Sequence, residues 1–145
     1  MPLPPLDSKA IRLGCVATDK DDAIEQAGRA LVDIGAVDDS YIEAMHERER
    51  TLSTFIGGST AIPHGPPPSW EEVKRPALSY LQFPDGVDWG EGYTVKVVVG
   101  IASKGDEHMS VLTALAKILM SNERGEAFRS AGSVEEVLEI FHSEP

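Results

Sequence analysis

The amino-acid sequence predicts one α/β domain spanning residues 1–145, with a central sheet covered by helices on both faces. The length is that of a single domain, and no internal repeat is visible. Stretches with apolar residues at helical spacing are interleaved with β-branched runs, the pattern of mixed helices and strands. Hydrophobic residues make up 41% and charged residues 26%, the balance of an ordinary globular protein.

The first third of the chain predicts a strand followed by two helices. Residues 10–17 have the composition of a short strand, and Thr18 is the predicted cap of the helix that follows. Gly35 is a natural end for that helix. The second helix is predicted to begin after residue 38 or 39 and to run to about residue 50. Its predicted inward-facing side chains are Tyr41, Ile42 and Met45.

The middle of the chain predicts a proline-rich loop and two strands. Residues 63–68 carry four prolines, which excludes a helix or an inner strand and predicts an ordered turn or loop. Two apolar stretches, Ala77–Phe83 and Thr94–Ala102, predict strands. The second is a continuous β-branched run, typical of a strand buried on both faces. Pro84-Asp85-Gly86 predicts a turn between strand segments.

The last third predicts helices. Asp106 is a predicted cap, and an apolar stripe follows it at helical spacing. The stripe consists of Val111, Leu112, Leu115, Ile118 and Leu119. Ser133 and Glu136 form a predicted capping box at the start of a final helix. The predicted core-facing side chains of that helix are Val134, Val137, Leu138 and Phe141.

Charge and cysteine content exclude several classes of protein. A net charge of −11 opposes binding to a phosphate backbone, so no nucleic-acid partner is expected. Cys15 is the single cysteine, which excludes a disulfide framework and a cysteine-rich zinc module. No apolar run reaches the roughly 18 residues of a membrane span, and the N-terminus lacks a signal-peptide pattern. A cytoplasmic protein without direct membrane insertion is expected.

His64 is the histidine whose surroundings predict a function. It lies between a Gly-Gly turn and a proline run, where Pro63 restricts the backbone and Gly65 removes side-chain bulk. A rigid imidazole that another molecule can approach is expected there. His46 is predicted to be a surface residue, and His142 a structural or solvent-facing one near a helix end.

Two further residues complete a candidate site. His108 falls in the first turn of its predicted helix, where unpaired amides and the helix dipole favour an anion. Arg48 lies in a charged run near the end of the second helix, and a guanidinium there could bind phosphate oxygens. Together with His64, these residues suit phosphoryl transfer to a nucleophilic imidazole, with no metal and no cofactor. No nucleotide-binding glycine motif is present, so the phosphoryl group is expected to come from another protein.

At these residues the chain resembles the enzyme IIA domain of the sugar phosphotransferase system, mannitol/fructose type. The resemblance covers nearly the whole chain, and its most specific segments lie at four places in the same order as in the family. These segments are residues 44–48, Ser59–Gly65, Gln82–Gly90 and Val99–Met109. The resemblance implies a mixed sheet flanked by helices. It also implies a phosphotransferase component, with mannitol the best guess for the transported sugar.

The resemblance implies a role for each site residue. His64 would be the phosphorylated histidine, accepting from phospho-HPr and passing the group to an enzyme IIB cysteine, with enzyme IIC in the membrane. The phosphoryl group would be carried on Nε2, with Nδ1 fixed by a hydrogen bond within the protein. His108 would be the second active-site histidine, which orients the phosphoryl group, and Arg48 the active-site arginine.

The chain departs from the family pattern directly after the histidine. Family members commonly continue His-Gly-Thr, whereas His64-Gly65 is followed here by Pro66-Pro67-Pro68, so a hydroxyl that could touch the phosphoryl group is missing. Cys15 lacks a phosphate-cradling loop and is not expected to be a fused enzyme IIB cysteine. A free-standing IIA component is therefore predicted.

Two other functions remain open from the sequence. One is a regulatory protein similar to the nitrogen-related relatives, in which phosphorylation of His64 would control partner binding. The other is a metal-binding protein that uses His64, His108 and Glu107, against which the neighbouring arginine argues.

Overall fold

A computed structural model describes residues 5–103 and 107–142 and contains a five-stranded mixed sheet. In chain order the strands are β1 (Leu6–Arg12), β2 (Phe55–Gly57), β3 (Thr60–Ala61), β4 (Ala77–Gly90) and β5 (Tyr93–Ala102). Their order across the sheet is β1-β4-β5-β3-β2. β1 runs parallel to β4 and β3 parallel to β5, whereas β4–β5 and β2–β3 are antiparallel pairs. The mixed sheet that the resemblance implies is confirmed.

Helices cover both faces of the sheet, as the sequence predicts. They are α1 (Lys20–Asp33), α2 (Ser40–Thr51), α3 (Glu107–Met120), α4 (Asn122–Ser130) and α5 (Val134–His142). One core joins α1 and α2 to the sheet, and a second core joins α3, α4 and α5 to the opposite face. β5 contributes to both cores, with Val98 in the first and Val97 and Val99 in the second. The prediction that this strand is buried on both faces is correct.

β4 differs from the prediction of a turn at Pro84-Asp85-Gly86. The strand continues through these residues, and the pairing with β5 shifts register between Gln82 and Val87. Gly86 has a φ of 82°, which a glycine adopts without strain, so the segment forms a bulge. The reversal of the chain occurs later, between Gly90 and Tyr93.

β1 lies before its predicted position, and the cap of α1 lies one residue after its predicted position. β1 ends at Arg12, so Cys15 lies beyond the strand rather than within it. Asp19 caps α1 in place of Thr18, and its side chain accepts a hydrogen bond from the Asp22 amide at 2.8 Å. Asp22 in turn accepts from the Thr18 amide, at 2.9 Å. Thr18 therefore takes part in the cap as a donor, since its amide and its hydroxyl face Asp22, and the carboxylates come from Asp19 and Asp22, which both follow it.

The C-terminal helices include one that the pattern did not predict. The apolar stripe of α3 is confirmed, since Val111, Leu115 and Ile118 are buried. α4 begins directly after Ser121, whose hydroxyl accepts from the Arg124 amide at 3.1 Å. The capping box of α5 is confirmed in modified form: Ser133 accepts from the Glu136 amide, and Glu136 accepts from the amide one residue before Ser133. Asp106, the predicted cap of α3, lies outside the described residues.

In the part of the chain that the structure describes, no helix combines the length and the apolar composition that a membrane crossing requires.

Candidate functional site

A cleft of about 280 Å³ opens where α2, the segment after β3 and the end of β5 meet. It is lined by Tyr41, Arg48, His64, Gly65, Pro66, Pro67, Trp70 and Ser103. Two of the three predicted site residues, Arg48 and His64, therefore face one cavity, although they come from a helix and a loop. The third, His108, belongs to the first turn of α3, and its side chain lies outside the described part of the structure.

The imidazole of His64 is fixed by its own backbone. His64 follows β3 and forms an isolated parallel bridge with Ile101 of β5. Its Nδ1 lies 2.8 Å from the carbonyl oxygen of Ile62. A carbonyl oxygen only accepts hydrogen bonds, so Nδ1 carries the proton and the lone pair of the neutral ring is on Nε2. A hydrogen bond at Nδ1 is also what the family resemblance leads us to expect.

Tyr41 connects the residue after His64 to the sheet. The Gly65 amide donates to the Tyr41 hydroxyl at 2.8 Å, and that hydroxyl donates to the Ile101 carbonyl at 2.8 Å. Burial raises the pKa of Tyr41 to about 12; the Gly65 hydrogen bond opposes this shift, and the charge of Glu72 adds to it. Tyr41 is thus a neutral link. Sequence reasoning placed it in the core without a polar role, although it lies two helical turns before Arg48, on the same face of α2.

Close packing explains the glycine after His64. A Cβ atom at Gly65 would lie 2.2 Å from the Ser69 hydroxyl and 2.5 Å from the Tyr41 ring, closer than real side chains approach. The predicted turn is correct up to Pro66, but a 3₁₀ helix spans Pro67–Glu72. Proline is compatible with the first positions of a helix, where no amide donor is needed, so the run of prolines starts this helix instead of preventing it.

The two arginines of α2 have different surroundings. Arg48 is partly buried, and its Nη1 donates to the Leu52 carbonyl at 2.5 Å. Arg50 is exposed and forms an ion pair with Glu43 at 3.4 Å. The guanidinium of Arg48 is held at the cleft, whereas Arg50 belongs to the solvated face of the helix.

The remaining histidines, His46 and His142, are not among the described residues that line this cleft. The prediction of a surface His46 is wrong: its side chain is 13% exposed and lies 3.3 Å from Glu25 of α1. Asp21 of α1 also faces the His46 ring, at 3.9 Å. His142 is the last residue of α5, and its side chain lies outside the described residues.

Cys15 does not have the surroundings of a nucleophile. Its thiol lies 3.6 Å from the Arg12 carbonyl. Burial raises the pKa of the Cys15 thiol, and the nearby Arg12 charge opposes that shift only in part. A raised pKa keeps the sulfur protonated and unreactive.

Among the described side chains, no group of three or more His, Cys, Asp or Glu residues is arranged to hold a metal ion. The set that the sequence left open, His64 with His108 and Glu107, includes two side chains outside the described residues.

Comparison with known proteins identifies the family. The family model described as phosphoenolpyruvate-dependent sugar phosphotransferase system, EIIA 2, matches residues 5–144. The chain belongs to this family and is a phosphotransferase component with a phosphoryl-carrier role.

Its relatives carry more specific names. The chain is 43% identical over 137 residues to the mannitol-specific phosphotransferase enzyme IIA component of Bacillus subtilis, covering 94% of this chain and 96% of the relative. It is 47% identical over 122 residues to the protein of the same name from Staphylococcus aureus strain Mu50, covering 84% of each. Among solved structures, the complex of enzyme IIAMtl and phosphorylated enzyme IIBMtl from Escherichia coli matches with a TM-score of 0.87 at 35% identity, covering 93% of this chain and 95% of the matched chain.

Proposed function

We propose that this chain is the phosphoryl carrier of a mannitol-type phosphotransferase system. His64 accepts the phosphoryl group on Nε2 from phospho-HPr and passes it to a cysteine of enzyme IIB, which acts together with the membrane enzyme IIC. The observation that carries this proposal is the 2.8 Å contact between His64 Nδ1 and the Ile62 carbonyl, which leaves the ring's lone pair on Nε2.

The transfer has two steps, and in each step one bond to phosphorus forms while another breaks. The Nε2 lone pair attacks phosphorus, the P–N bond to the donor histidine breaks, and the donor ring takes back its electron pair. The His64 ring then carries the phosphoryl group on Nε2 and the proton on Nδ1, so it gains positive charge. The Ile62 carbonyl dipole stabilises that charge. In the second step an enzyme IIB thiolate attacks phosphorus, and the P–Nε2 bond breaks.

Arg48 supplies the positive charge that this transfer needs. A phosphoryl group adds about −1.5 to −2 to a protein whose net charge is already −11. The transition state spreads charge over three equatorial oxygens, two of which a guanidinium can bind at once. Arg48 lines the same cleft as His64, which supports this role. By resemblance to the family, we propose that His108 orients the phosphoryl group without carrying it.

The names of the relatives support the choice of sugar and partner. The two relatives described above are named mannitol-specific, and the similar Escherichia coli structure contains phosphorylated enzyme IIB. The matched region covers 96% of the length of the Bacillus subtilis relative, so the similarity extends over nearly the whole of that protein.

The test is phosphorylation by the upstream proteins. The chain is incubated with enzyme I, HPr and phosphoenolpyruvate, and its intact mass is measured. We expect a gain of about 80 Da. When the phosphorylated chain is then separated from phosphoenolpyruvate, enzyme I and HPr and mixed with an excess of a mannitol-type enzyme IIB, the added mass should move to that enzyme IIB. A nitrogen-related regulatory protein would gain the mass and keep it in the presence of that enzyme IIB.

Variants of three histidines test the site. His64→Ala should abolish the mass gain, and His46→Ala should retain it, because His46 contacts α1 and not the cleft. His108→Gln should accept the group and hand it on more slowly. Loss of acceptance in His108→Ala with acceptance kept in His64→Ala would reverse the assignment.

A further inference from the structure

Glu49 is a buried carboxylate next to Arg48 that the mechanism above does not use. Only 5% of the residue is exposed. Its Oε2 accepts from the Thr54 amide at 3.0 Å and from the Trp89 indole at 3.2 Å, and it lies 3.2 Å from Lys20 Nζ. Its Oε1 accepts from the Thr54 hydroxyl at 2.5 Å. The carboxylate is thus surrounded by donors from three parts of the chain.

Helix stability does not explain a carboxylate at this position. Glu49 lies in the last turn of α2, where the helix dipole favours a cation and opposes a negative charge. Burial adds a desolvation cost, and an apolar side chain of similar size often fills such a site equally well. Glu49 is distinguished by the two hydrogen bonds that it accepts from Thr54, one from the amide and one from the hydroxyl.

Thr54 leads directly to the reactive imidazole. The Thr54 carbonyl accepts from the Ile62 amide at 3.0 Å, and the Ile62 carbonyl accepts from His64 Nδ1 at 2.8 Å. Hydrogen bonds through the backbone of Thr54 and Ile62 therefore connect the Glu49 carboxylate to the ring of His64. A displacement of Thr54 moves the carbonyl that fixes the proton on Nδ1.

The same segment also holds the arginine. Arg48 Nη1 donates to the carbonyl of Leu52, two residues before Thr54. The segment 52–54 is consequently a common support for the imidazole and the guanidinium, and the Glu49 carboxylate fixes that segment from the buried side.

We propose that Glu49 is a positioning residue for phosphoryl transfer: through the segment 52–54 it sets the tautomer of His64 and the place of Arg48. This inference rests on the proposed function. Glu49 touches neither the phosphoryl group nor the partner's reacting atom, and its effect is transmitted through hydrogen-bonded backbone.

The test compares Glu49→Gln with Glu47→Gln. Both variants remove one negative charge from α2 at constant side-chain size, but Glu47 is exposed. In Glu49→Gln an amide NH₂ group replaces one of the two oxygens that now accept from the Thr54 amide and the Thr54 hydroxyl, so Thr54 loses one of its two acceptors and the negative charge is removed. The rate of phosphoryl transfer from phospho-HPr is measured together with ¹⁵N NMR spectra of the histidine rings, in which the signal of His46 is an internal reference.

We expect Glu49→Gln to slow transfer roughly 10- to 100-fold and to shift the His64 ring away from a pure Nδ1–H tautomer. Glu47→Gln should match the wild type in both measurements. An unchanged His64 spectrum and rate in a folded Glu49→Gln protein, with only the unfolding midpoint lowered, would show that Glu49 is merely structural.

A milder variant covers the case in which Glu49→Gln does not fold. Thr54→Val removes the hydroxyl donor to Oε1 and keeps the amide and the side-chain shape. It should show the same spectral change with a smaller loss of rate, and a wild-type spectrum and rate would overturn the proposal. If the wild type takes no phosphoryl group from phospho-HPr, the proposed function fails, while the ring spectra still decide whether Glu49 positions His64.

Discussion

Tyr41 places a hydroxyl group between the segment that carries His64 and the central sheet. The hydroxyl satisfies the amide of Gly65 and the carbonyl of Ile101, both of which are buried. Burial raises the pKa of Tyr41 to about 12, above the ordinary value of 10.0. The hydroxyl is therefore neutral wherever the protein works, and it can donate and accept at once.

Removing this hydroxyl should change the response of the protein to alkaline pH. Between pH 10 and 12 the unfolded chain releases the Tyr41 proton and the folded protein keeps it, so stability falls as pH rises. The contribution is fully present below pH 10 and lost as pH rises through about 12. Tyr41→Phe should cost roughly 1–3 kcal/mol at pH 7, because two buried groups lose their partner. The free energy of unfolding of this variant should then decline less steeply above pH 10.

Urea denaturation at a series of pH values checks this expectation. Tyr93→Phe is the matched control, because Tyr93 is 48% exposed and stacks on Phe55 without a buried hydroxyl contact. Identical alkaline slopes for Tyr41→Phe and Tyr93→Phe would contradict the role given to the Tyr41 hydroxyl.

Arg48 and Arg50 allow a comparison within one helix. Hydrogen bonds to charged groups contribute on the order of 1.5–3 kcal/mol, and about 1.4 kcal/mol corresponds to a factor of ten in rate. Arg48→Ala should therefore slow transfer from phospho-HPr roughly 10- to 100-fold. Arg48→Lys should recover only part of the rate, since it keeps the charge and loses the fork of donors.

Arg50→Ala should transfer at nearly the wild-type rate, because Arg50 is exposed and pairs only with Glu43 on its own helix. Rapid-quench measurements of the three variants give the comparison. Equal losses in the two alanine variants would place Arg48 on the solvated helix face instead of in the transfer site.

At the scale of elements, apolar residues at helical spacing predict α1, α2, α3 and α5, and a continuous run of β-branched residues predicts the buried strand β5. α4 escaped prediction because few of its residues are apolar; only Gly125 and Phe128 are buried. Pro84-Asp85-Gly86 has the composition of a turn, and only the pairing of β4 with β5 shows that it forms a bulge instead. The close contact of Gly65 with Tyr41 also depends on packing between distant residues, which no local pattern contains.

The segment between β3 and the 3₁₀ helix should be sensitive to a single added methyl group. Gly65→Ala forces the chain away from Tyr41 and Ser69, and such overpacking costs roughly 1–3 kcal/mol. The displaced backbone carries His64, so the rate of phosphorylation should fall as well. Gly132→Ala is the control, since the nearest atom to its added Cβ lies 3.8 Å away.

Thermal unfolding and the phosphorylation assay are to be run on both glycine variants. A stable Gly65→Ala protein with the wild-type rate would mean that the loop accommodates a side chain there.

In the whole molecule the second core reaches, through Ile62 and Ile101, the cleft that Arg48 and His64 line, whereas Phe128 of α4 belongs to the same core but does not line that cleft. The cleft is formed by α2, the segment after β3 and the end of β5, whereas the second core lies under α3, α4 and α5. Sequence reasoning grouped Arg48 with His64, and both residues line this cleft. It could not find Tyr41 or the support of His64 by Ile62, because these contacts depend on where β3 meets β5.

A substitution in the part of the second core that lies away from the cleft should therefore affect stability without affecting chemistry. Phe128 is fully buried and packs edge-to-face against Tyr80 at a ring separation of 5.3 Å. Phe128→Ala should lower the free energy of unfolding by roughly 3–5 kcal/mol. At 25 °C the transfer rate per folded molecule should stay within about twofold of the wild type. A tenfold loss of rate in the folded fraction, measured beside a urea curve, would show that this part of the core is coupled to the cleft.

The backbone around His64 is attached at consecutive points: the Ile62 carbonyl to the ring, the Pro63 carbonyl to the Ile101 amide, and the Gly65 amide to the Tyr41 hydroxyl. A partner that docks here meets a loop whose conformational entropy was already lost on folding. Binding then does not have to order this loop. A small contact area can therefore align the partner precisely without high affinity. Rapid dissociation after each encounter becomes compatible with accurate geometry, as the proposed exchange with two successive partners would require.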